Sequence, residues 1–465
     1  MRDARRLSVY VVIASPRIAM SARVIVIGGG FAGVAAAATL RATGVDVVVL
    51  DANAAIGGRA RSDTLGNIVV DTGAQLVASS FARTLALLAA GDGAPRLVKT
   101  AGRDALVIDG EREPIQFGSM RSLLTFAGLS PLDKVRLGTQ LLPLLAKHRD
   151  DLDADAERLP AELDAQSARS FVAANIGERA ADMLVEIALN AFYAARGDDA
   201  SLAFYLALAR YGSDSDLLAA SRGWSAALAF ALRGATHTPS TRIATIEVSA
   251  TGVRAACGDG RTWSADGAII ATGPRAARAL LAPHLATDSE LSAWLAGIPM
   301  RASWTAALAI RGALDHSAFG LFSDRDAGGA ASAIAVHGAK LEPDAPRDAD
   351  AVLAWGTPEI AERLALEPPE GVVAALLPDV ERMLPDIRGR ITRARVYRFD
   401  EGTPLPFPGF AADRRRGRAL ASSIAMPVAL AGDYLTMPLI EGAVASGESA
   451  ARLLLDKLGA SSSAP

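Results

Sequence analysis

Residues 23–33 read RVIVIGGGFAG, a β-branched run that breaks into glycines. Such an apolar stretch predicts a strand buried on both faces, the kind found inside a parallel sheet. Phe31 to Arg41 is Ala-rich and helix-favouring, with a stop near Gly44, and Val45 to Leu50 (VDVVVL) reads as a second buried strand. Strand, glycine turn, helix, strand is the setting a dinucleotide motif requires. Within it, Gly28, Gly30 and Gly33 form G-x-G-x-x-G, with Phe31 and Ala32 as the intervening pair. The first glycine permits the tight turn, the second lets backbone approach a pyrophosphate, and the third lets helix pack on strand. The helix N-terminus then offers free N–H groups and the positive end of its dipole. Asp51, eighteen residues after Gly33, ends the second strand and is placed to accept hydrogen bonds from a ribose hydroxyl.

A second cluster, Gly57-Gly58-Arg59-Ala60-Arg61, follows within a few residues. With it the chain resembles the flavin amine oxidase superfamily, which includes protoporphyrinogen oxidases and the phytoene- and squalene-type desaturases. The resemblance implies non-covalent FAD, with Arg59 at its phosphates, where a bidentate cation suits a diphosphate. Arg61 is either a second cation or a surface charge. Val70 to Gln75 (VDTGAQ) matches the family's turn beside the isoalloxazine, through Gly73 and Ala74. Leu430 to Tyr434 (LAGDY) and Glu441 to Gly447 (EGAVASG) match its closing FAD motif. The likeness puts Gly432 and Asp433 at the ribityl or pyrophosphate region. It aims the N–H groups of Gly442, Ala443 and Val444 at the flavin N1–C2=O edge, where charge develops. It also places Ile243 against adenine and Ala271 at a strand end near the dinucleotide. Together these motifs span residues 23 to 456.

Composition narrows the remaining classes. A chain of 465 residues, 51% hydrophobic, predicts two interwoven domains. A net charge of −3 and a pI near 6.0 argue against a nucleic-acid partner. The one cysteine, Cys257, excludes an internal disulfide framework and fits a reducing compartment, and the five histidines lack metal-ligand spacing. No apolar run approaches the roughly 18–20 residues of a membrane span. Arg2, Arg5 and Arg6 before Leu7 to Ala14 loosely resemble a secretion signal, but Pro16 and Arg17 interrupt it. Residues 1–19 are therefore read as an N-terminal extension, and a cytoplasmic location is expected.

The expected fold is α/β: a discontinuous Rossmann-type FAD-binding domain (20–80, 225–290, 415–460) with an inserted α+β substrate domain (81–224, 291–414). The stretch 81–222 reads as mostly helical, and Asp150 to Gln166 as a solvated linker or helix surface. Leu132, Val135, Leu137, Leu141 and Leu145 mark one broad apolar helix face, a candidate for peripheral membrane contact. Tyr193, Trp224, Tyr397 and Phe399 are candidate cavity aromatics, with core packing the competing role for each.

Flavin N5 would carry the chemistry by accepting hydride, so no catalytic side chain is assigned. Pro299 to Arg311 lacks the lysine of monoamine-type relatives, and no flavin-linking cysteine lies near Tyr397 to Gly402. Ala191 to Ala194, Arg222 to Trp224 and Arg398-Phe399 with Pro404 to Gly409 resemble instead the protoporphyrinogen oxidase and desaturase layout. Phe399 stands where Trp is common. The expected substrate is an apolar small molecule, with oxygen or a quinone as electron acceptor. The alternatives are an amine oxidase of a non-monoamine subtype and a flavin-binding scaffold without turnover.

Overall fold

The computed structural model describes residues 22–462, except 90–91, 101–103, 109, 117–118, 214, 250–251, 287, 316, 324–327 and 341–347. The N-terminal extension thus lies outside the described residues, as does the end of the C-terminal tail.

A five-stranded parallel sheet carries the glycine turn. Its order is Thr236–Thr238, Asp46–Leu50, Arg23–Ile27, Gly267–Ile270 and Val428–Leu430. Ile27 pairs with both Leu50 and Ile270, so the three strands end level and the turn opens at their C-terminal edge. Alternate side chains sort to opposite layers, as the two-residue strand period demands. Val24, Val26, Val47 and Val49 face the first helix (Phe31–Ala42) and the closing helix (Ile440–Ser462). Ile25, Ile27, Val48 and Leu50 face a layer that includes Ile246, Val253, Leu280 and Trp294. The closing helix lies directly on the first: a Cβ on Gly447 would sit 2.1 Å from the Ala32 carbonyl oxygen, so only glycine fits.

A seven-stranded mixed sheet forms the second centre, in the order Ile391–Pro404, Met300–Arg311, Ala349–Gly356, Ala331–Val336, Gly320–Ser323, Ala105–Ile108 and Glu111–Pro114. All its neighbours run antiparallel except Gly320–Ser323 with Ala105–Ile108. Helix Pro369–Met383 covers one face through Val372, Leu376 and Val380. The other receives Leu65 and Val70 from the hairpin Ser62–Leu65/Ile68–Asp71, which ties the two sheets together.

Two expectations need correction and a third an addition. The stretch 81–222 has mostly helices among its regular elements, as expected, but its strands Ala105–Ile108 and Glu111–Pro114 complete the large sheet. Segment 150–166 is no solvated linker: Leu152, Ala154, Leu159 and Leu163 are buried. Asp164 is buried and makes internal bonds, accepting from the Ser201 hydroxyl at 2.9 Å and the Ala411 N–H at 3.0 Å. The predicted single apolar face is two. A capping box of Ser130 and Asp133 starts helix Pro131–Arg136, and a widened turn over Leu137–Leu141 leads into Leu142–Lys147. That turn rotates Leu137 and Leu141 inward and leaves Leu132 and Val135 55% and 62% exposed.

Candidate functional site

The glycine turn shapes a cradle. A Cβ on Gly33 would fall 1.9 Å from the Gly28 carbonyl oxygen, so any other residue there would push helix off strand. A Cβ on Gly30 would meet nothing nearer than the Gly57 carbonyl oxygen at 4.0 Å. The space in front of the helix is therefore open, and no side chain caps its N-terminus. Uncapped N–H groups at an open helix end suit an anion. The Gly57 N–H donates to the Gly29 carbonyl at 2.9 Å and so brings the second glycine pair alongside the first.

Asp51 is buried at the rim. Its Oδ2 accepts from the Gly29 N–H at 2.6 Å, and its Oδ1 accepts from the Asn53 N–H at 2.7 Å and Asn53 Nδ2 at 3.0 Å. The Asp51 carbonyl takes the Thr241 N–H at 2.7 Å, which brings Ile243 to this end of the turn. Ala271 backs the turn from the neighbouring strand, its N–H donating to Ile27 at 2.8 Å.

Arg59 crosses toward the C-terminal motif. Its Nη1 donates to Asp433 Oδ2 at 2.9 Å and to the Gly402 carbonyl at 3.0 Å, and its Nη2 donates to Asp433 Oδ1 at 2.6 Å. Burial opposes its charge, but Asp433 beside it outweighs burial and holds the guanidinium more firmly protonated. The side chain still keeps 38% of its surface accessible, so a further anion can reach it. Tyr434 is fully buried, and its hydroxyl has no hydrogen-bond partner among the described residues. Burial, with Asp433 and Glu401 beside it, pushes that hydroxyl's pKa up. The Gly432 N–H donates to Ser446 Oγ at 3.0 Å, which pins the motif to the closing helix. Gly442, Ala443 and Val444 lie in that helix's first turns, against the loop 436–439. Glu441 points away from them and accepts from the Arg83 and Thr84 N–H groups at 2.9 Å each.

The Asp71–Gln75 turn packs on the backbone of Arg59 and Arg61. The Thr72 N–H donates to Arg61 at 2.9 Å and the Ala74 N–H to Arg59 at 3.1 Å. Phe399 lies beside Gly73, and Arg61 stands over the Phe399 ring at 5.1 Å. Tyr397 is one strand residue pair further on, and its hydroxyl donates to Asp63 at 2.9 Å. Burial, then that bond, pushes the Tyr397 pKa up to about 12. Trp224 is fully buried, edge-on to Phe31, and donates Nε1 to the Gln75 carbonyl at 3.2 Å, so it borders the turn from within the core. Tyr193 packs edge-on against Phe204.

Two features went unread in the sequence. Lys340, at the end of the segment after strand Ala331–Val336, is buried with its Nζ 2.5 Å from Asp71 Oδ2 and 2.9 Å from Gln75 Oε1. A cavity of about 110 Å³ also opens between the helical run carrying Glu186 and Asn190, the strands carrying Ser323 and Ser332, and helix Pro358–Arg363 with Glu359. Nothing in Lys340's neighbourhood along the chain signals a partner 269 residues away.

The residues fit a flavin dinucleotide on two observations: the open cradle at Gly30, and an accessible guanidinium beside an orphaned buried hydroxyl. Comparison with known proteins agrees. The family model "Flavin containing amine oxidoreductase" matches residues 31–455. Among curated proteins the sequence has no match. Similar solved structures include a candidate protoporphyrinogen oxidase from Exiguobacterium sp. 255-15, at 18% identity and a TM-score of 0.69, covering 93% of this chain and 98% of that one. Cyclohexylamine oxidase from Brevibacterium oxydans IH-35A has the same identity and TM-score, with 94% and 99% covered. Putrescine oxidase bound to putrescine has 16% identity and a TM-score of 0.68, with 93% and 98% covered. At these identities the structures share the fold.

Proposed function

The chain belongs to the flavin containing amine oxidoreductase family, and from that premise we propose that this FAD-dependent oxidoreductase removes hydride from a lipophilic small molecule, in the manner of protoporphyrinogen oxidases and desaturases. FAD, when bound, supplies the hydride acceptor at flavin N5. The chain's own residues hold and orient. Uncapped N–H groups after Gly30 meet the diphosphate, and Arg59 adds a cation that Asp433 aims. Asp51 takes the ribose, Ile243 lies at adenine, and the Gly73–Ala74 turn with Phe399 borders the ring.

One observation carries the lipophilic reading. Leu124, Leu132 and Val135 are all more than half exposed, on a segment (119–149) with five cations, Arg121, Lys134, Arg136, Lys147 and Arg149, against one carboxylate, Asp133. Apolar side chains among cations suit the boundary of an anionic bilayer, here its cytoplasmic side. Among the described residues no helix is long and apolar enough to cross a membrane, so the contact is peripheral. Arg179 donates to the Gly128 carbonyl at 3.1 Å, which joins this face to the helical run whose Glu186 and Asn190 line the cavity. The electron acceptor is oxygen or a quinone.

A second reading, an amine oxidase of a non-monoamine subtype, draws on the cavity itself. Asn190 Oδ1, without a hydrogen-bond partner among the described residues, favours a ligand that donates a hydrogen bond, beside Glu186 and Glu359, which pair with Arg169 and Arg196. Anaerobic reduction of the bound flavin separates the two. Porphyrinogens or polyprenoids should bleach it while monoamines leave it yellow. The protein should also sediment with anionic vesicles, and Leu132→Ser with Val135→Ser should abolish that. Bleaching by a polyamine with lipophilic substrates inert would transfer the assignment to the second reading. Flavin that no substrate bleaches would make the protein a scaffold.

A further inference from the structure

Lys340 and Asp71 are each about 1% exposed, and no other lysine of the described chain is buried so completely. A buried ion pair is a poor investment in stability, since two desolvated charges seldom outperform a well-packed apolar pair. Its position is more informative. Asp71 Oδ1 accepts from the Ser62 hydroxyl at 2.7 Å and the Trp224 N–H at 3.0 Å, so one carboxylate joins hairpin, helix start and substrate sheet. Lys340 also donates to Gln75 Oε1, and that contact fixes which way the carboxamide points. With its oxygen held by an ammonium, Gln75 must turn its NH₂ the other way. There Nε2 donates to the Asp71 carbonyl at 2.8 Å and the Gly73 carbonyl at 2.7 Å. The cation therefore sets the curvature of the Asp71–Gln75 turn through one amide. That turn has no slack, because a Cβ on Gly73 would lie 2.1 Å from the Arg59 carbonyl oxygen.

We propose that Lys340 is a positioning residue for the flavin end of the coenzyme site: through Gln75 it shapes the turn, and through Asp71 it neutralises the one carboxylate in the turn. The inference rests on the reading that Gly73 borders the flavin ring. It makes the large sheet, and not the nucleotide fold, responsible for part of the coenzyme's redox tuning. Removing the cation leaves a carboxylate unpaired beside a group that gains electrons, which disfavours reduction. Removing both charges cancels that effect and leaves only the loosened turn.

The test uses full-length protein loaded with FAD, as Lys340→Met and as the double variant Lys340→Met/Asp71→Asn. Flavin release is followed by fluorescence, and the midpoint potential by equilibration with a redox dye. Lys340→Met should release FAD roughly tenfold more readily, the scale of one lost charge-assisted hydrogen bond, and its flavin should have a lower potential. The double variant should recover the wild-type potential while still releasing FAD more readily. If Lys340→Met fails to fold, the double variant, which buries no lone charge, decides the matter on release alone. FAD held as tightly as in the wild type by the double variant, or a potential unmoved in a folded Lys340→Met, would overturn the proposal while the enzyme remains a flavoprotein. Wild-type protein that never takes up FAD would overturn the site reading as well.

Discussion

In the five-stranded parallel sheet, strands Arg23–Ile27, Asp46–Leu50 and Gly267–Ile270 end level, and what they present at that edge is mostly backbone. The cradle is made of N–H groups, carbonyls and the places where a Cβ cannot go. The seven-stranded sheet and the segments attached to it present side chains instead: Lys340 on Asp71, Tyr397 on Asp63, Glu359 on Arg196. The contrast teaches where each half's tolerance lies. Backbone sites depend on steric permission and forgive nothing larger than hydrogen at a few positions. Side-chain sites depend on pairing, so they can be rewired if charge and donors stay balanced.

Three substitutions probe that difference, from the largest effect down. Gly33→Ala should break the backbone half outright, because its Cβ would have to displace the Gly28 carbonyl. A loss on the order of 3 kcal/mol is expected for forcing bulk into a packed contact, seen as a lower unfolding midpoint and colourless protein. Arg59→Ala removes the cation that Asp433 aims at the cradle and should weaken FAD binding by about 1.5–3 kcal/mol. Unchanged flavin occupancy after gel filtration would remove Arg59 from the site.

The smallest effect belongs to the other half. Asp104, at the sheet edge, accepts the Gly320 N–H at 2.9 Å, and burial pushes its pKa up to about 6. A carboxyl whose pKa is raised on folding binds more protons folded than unfolded between its two pKa values. The contribution of Asp104 to stability should therefore be fully present below about pH 4 and be lost as pH rises through about 6. Asp104→Asn, matching the protonated acid, should be more stable than wild type at pH 8 by about 1–2 kcal/mol. The gap should close below about pH 4. Thermal unfolding at several pH values checks this, and a pH-independent difference would count against it.

Legibility follows the same division. Gly28, Gly30 and Gly33 could be read because each answers a local steric demand that leaves a mark at fixed spacing. Asp51 and Arg59 could be read because they sit close behind that turn in the chain. The partner of Arg59 came from the closing motif, yet the bidentate contact between Arg59 and Asp433 was invisible, since each had been assigned to the coenzyme alone. Lys340 was missed because an isolated lysine after an apolar strand carries no pattern. Acidic residues between 150 and 166 misled, because hydropathy counts Asp164 as solvated while the fold gives it a hydroxyl and an amide. The strand Ala105–Ile108 was missed for another reason: four residues are too few for a period to show.

The seat of Gly447 on Ala32 has a consequence for how the molecule is made. A ribosome releases the glycine turn roughly 400 residues before the helix that backs it. At about 5–20 residues per second, the interval is roughly 20–80 s. Through that time the nascent N-terminal strands have no wall on one side, and the neighbouring strand Val428–Leu430 is still unsynthesised. Maturation is thereby tied to the arrival of that helix: until Ile440–Ser462 has been made, the cradle stays an open mould.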